Sequence, residues 1–364
     1  MRRLTAALMF GLLSLYPQIG AAQARAAKPA ATKKFAPKRL PWGDPDISGN
    51  FTTKDEANTP LERPDELAGK RLEDITPAEL KEIGEARRRQ AVEEAPFATG
   101  SRAEGIAIAV PIHWFDSLDS ENSRPWFMVD PPDGKAPPPT AEALQRAAAA
   151  AAARQGRSVA DSYTDRGLND RCIVSFAGGP APAEMLPKVY GNSYRILQTR
   201  DYVVIQYEMV HDTRIIPIEG RGAARPHRGS QLRSYWGDAI GRWEGDTFVV
   251  DTTNFKGGLQ FRGIGTGGVA GVPGEGLHTI ERFTRTASNK VEFTATVEDS
   301  HTWARPWTFA IPLTEDDTQG ILEYACHEGN YGMRNILAGA REDQRKGIEP
   351  SNGPARAETG VITE

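Results

Sequence analysis

A mainly β protein is expected from this chain: an antiparallel barrel, with a β-sandwich as the alternative, and a few helices at its periphery. Three observations point there. First, from Tyr194 onward short runs of β-branched and aromatic residues follow one another closely, which is the composition a pleated, half-buried strand favours. Second, the connections between these runs are short and polar or contain glycine, which suits antiparallel neighbours better than parallel strands joined by helical crossovers. Third, 36 Gly, 26 Pro, 7 Trp and 9 Tyr make a turn-rich, aromatic chain. A series of short strands closes most economically into a barrel, because closure removes exposed sheet edges.

The stretch Tyr235 to Phe255 carries this grammar most clearly. Glu244-Gly245-Asp246 supplies a tight turn between Ile240–Trp243 and Thr247–Thr252. Alternation sets Phe248, Val250 and Thr252 on one face and Thr247, Val249 and Asp251 on the other. Asp251 is thus a carboxylate on a strand made of β-formers. The other expected strands are 194–198, 202–209, 213–218, 232–236, 278–285, 290–297, 303–312 and 321–326.

Ahead of this body, residues 1–24 read as an export signal: Arg2 and Arg3, an apolar run from Leu4 to Tyr16, and a small-residue cleavage site at Ala22-Gln23-Ala24. Residues 25–40, basic and alanine-rich, read as a disordered leader. Residues 41–190 form an N-terminal segment wrapped around the body, with two helices. Thr76-Pro77-Ala78-Glu79 opens the first with a capping box, and it runs to about Glu94. The second, Thr140 to Arg154, is capped by Thr140 and carries an alanine tract that suits an external helix. One or two strands are expected within 105–132. The body spans 191–345, and 346–364 is expected to be a disordered tail. The glycine-rich loop from Lys256 to Leu277 is either a lid or a mobile surface loop; its GxGxxG match lacks the strand-to-helix context a phosphate cradle needs.

A formal net charge of -4 argues against a nucleic-acid or polybasic membrane binder. The expected partner is a small molecule or glycan. No second apolar run follows the signal, so no transmembrane segment is expected after its removal and the mature protein belongs in the periplasm or outside the cell. The two cysteines, Cys172 and Cys326, are an even count in an oxidising compartment, where a disulfide forms if the Cα spacing allows it.

Metal-binding spacings such as HExxH or paired cysteines are absent, and no cofactor is expected. The candidate chemistry is acid/base. Alternation groups Gln206 with Glu208, His278 with Arg282, and Glu323 with His327, and Asp251 adds a further carboxylate. If these face one barrel mouth, they supply the acids, imidazoles and guanidinium that proton transfer requires. His278, His327, Glu323 and Asp251 are the catalytic candidates; Glu208, Gln206, Arg282, Trp236, Trp243 and Asn330 are the substrate-binding ones. The expected function is small-molecule binding, extended to metal-independent lyase, isomerase or hydrolase chemistry. The alternative is a non-catalytic periplasmic carrier or cell-envelope interaction protein.

GRWEGDTFVVDTTNF (241–255), HTIERFTR (278–285) and EYACHEGNYGMRNILAGAR (323–341), with PWGDPDISGNF (41–51), resemble a group of exported bacterial proteins of uncharacterised function. That resemblance implies export and carries no catalytic assignment. Ser48-Gly49-Asn50-Phe51 followed by many antiparallel strands is also similar to the opening of calycin or lipocalin-type barrels, with Phe51 where those barrels usually have Trp. It implies a calycin-like barrel.

Overall fold

Alternating side chains close the chain into a nearly complete ring of strands. The structure is a computed structural model that describes residues 35–93, 122–158, 160–175, 179–263 and 267–348; the expected signal peptide lies outside these. The strands are β1 (Gly49–Thr52), β2 (Met128–Asp130), β3 (Ser193–Gln198), β4 (Tyr202–Tyr207), β5 (Thr213–Pro217), β6 (Asp238–Glu244), β7 (Thr247–Thr253), β8 (Arg262–Gly263), β9 (Gly267–Gly268), β10 (His278–Ala287), β11 (Lys290–Glu298) and β12 (Trp307–Glu315). The helices are α1 (Pro77–Glu93), α2 (Ala141–Ala153) and α3 (Gly332–Arg345).

Around the wall the order is β1, β3, β4, β5, β6, β7, β10, β11, β12 and back to β1, while β2 adds to the side of β12. The laddered neighbours are all antiparallel. A closed ring with an odd number of strands cannot alternate direction throughout, so one seam must be parallel. It lies between β5 and β6, joined by a parallel bridge from Ile218 to Gly241 and by the Glu219 N–H donating to Gly241 O at 2.7 Å. Parallel neighbours need a long crossover. Residues 219–237 supply it, a strap that carries the chain back along the barrel from the end of β5 to the start of β6.

The interior is packed. Phe51, Tyr194, Ile196, Ile205, Ile216, Phe248, Phe283, Phe293, Phe309 and Ile311 are buried in one cluster, each side chain contributing about 1.5–3 kcal/mol of transfer free energy. Phe293 bridges Phe283 and Phe309 at centroid distances of 5.0 and 6.0 Å. Gly241 lets β6 come this close, since a Cβ there would sit 2.3 Å from the Phe248 ring.

Several expectations change. Residues 232–236 belong to the strap, and 321–326 run as a partly exposed arm beyond β12. The strand expected over 202–209 stops at Tyr207 because Val210 and His211 take positive φ (60° and 47°) and reverse the chain. Phe51 lies on a wall strand between β3 and β12, although the segment 41–190 was expected to wrap around the body rather than to join its wall. The last residues of the expected disordered leader are held in place: Lys38 O accepts from Asp46 N and Arg39 pairs with Asp246. The Lys256–Leu277 loop buries Phe261, Val269 and Leu277 in the core, with Phe261 5.0 Å from the Trp307 ring. These apolar anchors make its described part packing rather than a lid. Thr76 caps α1 as expected, but the Glu79 side chain pairs with Lys70 instead of closing the capping box. Thr140 Oγ1 caps α2 by accepting from Ala143 N at 3.1 Å. Cys172 and Cys326 are bonded, at a Cα separation of 5.9 Å.

Candidate acid/base site on the barrel wall

The expected barrel-mouth cluster does not assemble as one site, because β10 has the opposite phase. Thr279, Glu281, Phe283 and Arg285 are buried while His278, Ile280 and Arg282 are partly exposed. Phe283 settles this phase, since its ring gains most from the core. His278 and Arg282 therefore face outward, as does Asp251, which pairs across the strands with Ile240 and Ile280.

Outside the wall, ladder register places His278 opposite Glu298 and Asp251 one strand away. His278 lies 3.1 Å from Glu298 Oε2 through Nδ1 and 3.1 Å from Asp251 Oδ1 through Nε2. The strap adds His227, whose Nε2 is 3.2 Å from the same Asp251 oxygen and whose Nδ1 is 3.3 Å from Asp238 Oδ2. Arg225 Nη1 (3.0 Å) and the Arg228 N–H (2.7 Å) donate to Asp238. A chain of alternating acids and bases results: Glu298, His278, Asp251, His227, Asp238, Arg225. His278 and Asp251 each keep 31% of the side chain exposed.

Its electrostatics favour the ionised forms. Hydrogen bonding to Asp251, then to Glu298, raises the His278 pKa against the opposing effect of burial. The His278 hydrogen bond in turn holds the Asp251 carboxyl below its usual range. Burial alone would raise Asp238, but Arg225, the Arg228 N–H and His227 outweigh it and lower its pKa. Among the described residues, no three His, Cys, Asp or Glu side chains are arranged to hold a metal ion.

The inner side of the same wall carries a second polar set. Arg214 donates to Glu281 Oε1 at 2.8 Å and Oε2 at 2.6 Å, to the Tyr207 hydroxyl at 3.3 Å and to Thr252 Oγ1 at 3.2 Å. Trp236 packs its ring 5.1 Å from that of Tyr207 and hydrogen-bonds Asp212, whose pKa burial pushes up to about 6.

The remaining candidates lie apart. Gln206 faces outward on β4, and Glu208 is buried in the turn after it. Arg282 shares Glu244 with Arg242 in an exposed ion pair. Trp243 packs on Phe248 at 5.1 Å. Glu323 and Asn330 line a surface pocket of about 460 Å³ beside the disulfide, with Tyr324, Met333 and Ile336. His327 is exposed on the same arm. This arm is not a strand, so alternation never applied to Glu323 and His327. His227, Asp238, Glu298, Arg214 and Glu281 are the residues sequence reasoning missed. Glu281 was legible in the spacing Thr279, Glu281, Phe283; His227 had no local signal, since a crossover strap places it.

The fold and this cluster together define an antiparallel barrel protein with a half-exposed carboxylate–imidazole chain on its wall. Comparison with known protein families, with curated proteins and with solved structures finds no match to this chain.

Proposed function

We propose that this is an exported small-molecule-binding protein that carries out metal-independent acid/base chemistry at the outer-wall cluster. The observation that carries the reading is the His278 imidazole braced between Asp251 and Glu298 while open to solvent. An imidazolium whose pKa its carboxylate partners raise holds a proton that it can donate to a substrate. Glu298 is the more exposed brace, at 45%. A substrate acceptor that displaces it from Nδ1 receives the proton, leaving neutral His278 with its Nε2–H still donated to Asp251. Return of a proton from substrate or water to Nδ1 restores the imidazolium, a cycle suited to isomerase, lyase or hydrolase chemistry. The disulfide supports an oxidising compartment, and no helix among the described residues is long and apolar enough to cross a membrane.

The test is a screen of the purified protein for turnover of small organic substrates, with His278→Gln beside it. Turnover lost in the variant while its fold and melting point are retained supports the reading; turnover unchanged in His278→Gln ends it. A non-catalytic carrier or envelope interaction protein is the second reading. It is favoured by the pairing of all four ring nitrogens of His227 and His278 to carboxylates, which makes the cluster a clasp for the strap.

A further inference from the structure

The cavity of about 460 Å³ beside the disulfide shares no residue with the outer-wall cluster. It lies between residues 169–172, the arm that carries Glu323 to Asn330, and the start of α3. The Cys172–Cys326 bond joins the first two of these walls. Hydrogen bonds fix the arm as well: Tyr324 O lies 2.9 Å from His211 Nδ1, and Asn330 Nδ2 donates to Cys326 O at 2.9 Å. The cavity is therefore preformed, and its size falls in the range of about 300–1,000 Å³ usual for small-molecule sites.

The protein leaves two features of this cavity unmatched. The first is an apolar wall. In α3, Met333, Ile336, Leu337 and Ala340 recur at helical spacing, and such a helix ordinarily buries its apolar face. Yet α3 has no buried residue, and Met333 and Ile336 border the cavity instead. The second is charge. Each ionised side chain that lines the cavity is a carboxylate: Asp170, Glu323 and Glu328. Asp170 is matched by Arg166 at 2.7 Å, whereas Glu323 and Glu328 make no ion pair among the described residues. Neither His327 nor Arg334, the neighbouring bases, lines the cavity. The N-terminus of α3 is taken up by Asn330, whose Oδ1 accepts from Gly332 N at 2.9 Å.

We propose that this cavity binds a small aliphatic amine, best a diamine or polyamine. Ammonium groups meet Glu323 and Glu328, and the methylenes between them lie on Met333 and Ile336. The half-buried Tyr324 adds an aromatic face for the cation. A neutral chain would leave both carboxylates unmatched, an anion would meet their repulsion, and a bare metal ion would leave the apolar wall in water.

The full, oxidised chain is titrated calorimetrically with 1,5-diaminopentane and spermidine, and with 1,5-pentanediol, glutarate and magnesium chloride as neutral, anionic and purely ionic counterparts. The expected result is saturable binding of an amine that weakens in high salt, with no comparable binding of the other three. Glu323→Gln with Glu328→Gln should weaken it about tenfold, as two exposed ion pairs would. Met333→Ser with Ile336→Ser, which removes no buried side chain, should weaken it by a similar factor, about tenfold, while the melting point holds. The proposal is overturned if neither amine binds saturably, if pentanediol, glutarate or magnesium binds as tightly, or if either double variant binds like the wild type. His278→Gln, which tests the outer cluster, leaves this titration unchanged, so each site fails separately.

Discussion

On the inner side of the β7–β10 wall, Arg214 of β5 and Glu281 of β10 are 5% and 0% exposed; on the outer side, Asp251 of β7 and His278 of β10 keep 31% of their side chains in water. Both are ion pairs between groups on nonconsecutive strands, and both involve β10. Their surroundings make them different devices. In the low-dielectric interior the pair stays fixed, because removing either charge strands the other. Outside, solvent screens the pair, its net worth is small, and the imidazole can gain or lose a proton. Strand alternation thus lets one backbone segment serve stability through Glu281 and Phe283 and candidate chemistry through His278.

The largest effect expected is on the inner side. Glu281→Gln leaves the Arg214 guanidinium buried without a counter-charge and should destabilise the protein by about 3–5 kcal/mol in urea denaturation; a loss below about 1 kcal/mol would remove the distinction between the two faces. Replacing both partners, as Arg214→Met with Glu281→Leu, should recover most of that loss, which separates the charge effect from packing. Next in size is the disulfide, which closes a loop across a sequence separation of 154 residues. Cys172→Ser with Cys326→Ser should lower stability by about 2–5 kcal/mol, measured by denaturation with and without reductant, while leaving the His278 titration untouched.

The outer pair should respond far less. Asp251→Asn is expected to cost about 0.2–1 kcal/mol and to lose most of that difference in high salt; a cost matching that of Glu281→Gln would mean that the outer cluster is structural. The smallest effect is the pH dependence. Because folding raises the His278 pKa, its stabilisation is fully present below the unfolded value of 6.5 and fades as pH rises through the folded value. For Asp251, lowered by folding, the contribution is present above 3.8 and fades as pH falls through the folded value. Following the His278 ring protons by NMR should show a raised midpoint that drops in Asp251→Asn; an unchanged midpoint would separate His278 from Asp251.

Much of the architecture was legible in the sequence. Period-two patterning located the hairpin at 240–252, the long strands from 278 and 290, and the antiparallel class; Thr76 and Thr140 marked the starts of α1 and α2. These are local signals, set by side-chain alternation and by capping chemistry within a few residues. His278 and Asp251 were also named from sequence as working partners, although on the wrong face. Phase is where pattern failed, since HTIERFTR alternates polar residues with either a Thr/Phe or a His/Ile set and only packing decides which goes inside.

What the chain determined by itself, then, is the strand inventory, the pairing of Cys172 and Cys326 as a possibility, and the residue types available for acid/base work. Tertiary structure decided the rest: that nine wall strands force a parallel seam, that the seam requires the strap 219–237, and that the strap delivers His227 to Asp251 and Trp236 to Tyr207. The reason is physical. Alternation and capping act over a few residues, whereas ring closure is a constraint on all the strands at once, and no local stretch of sequence contains it.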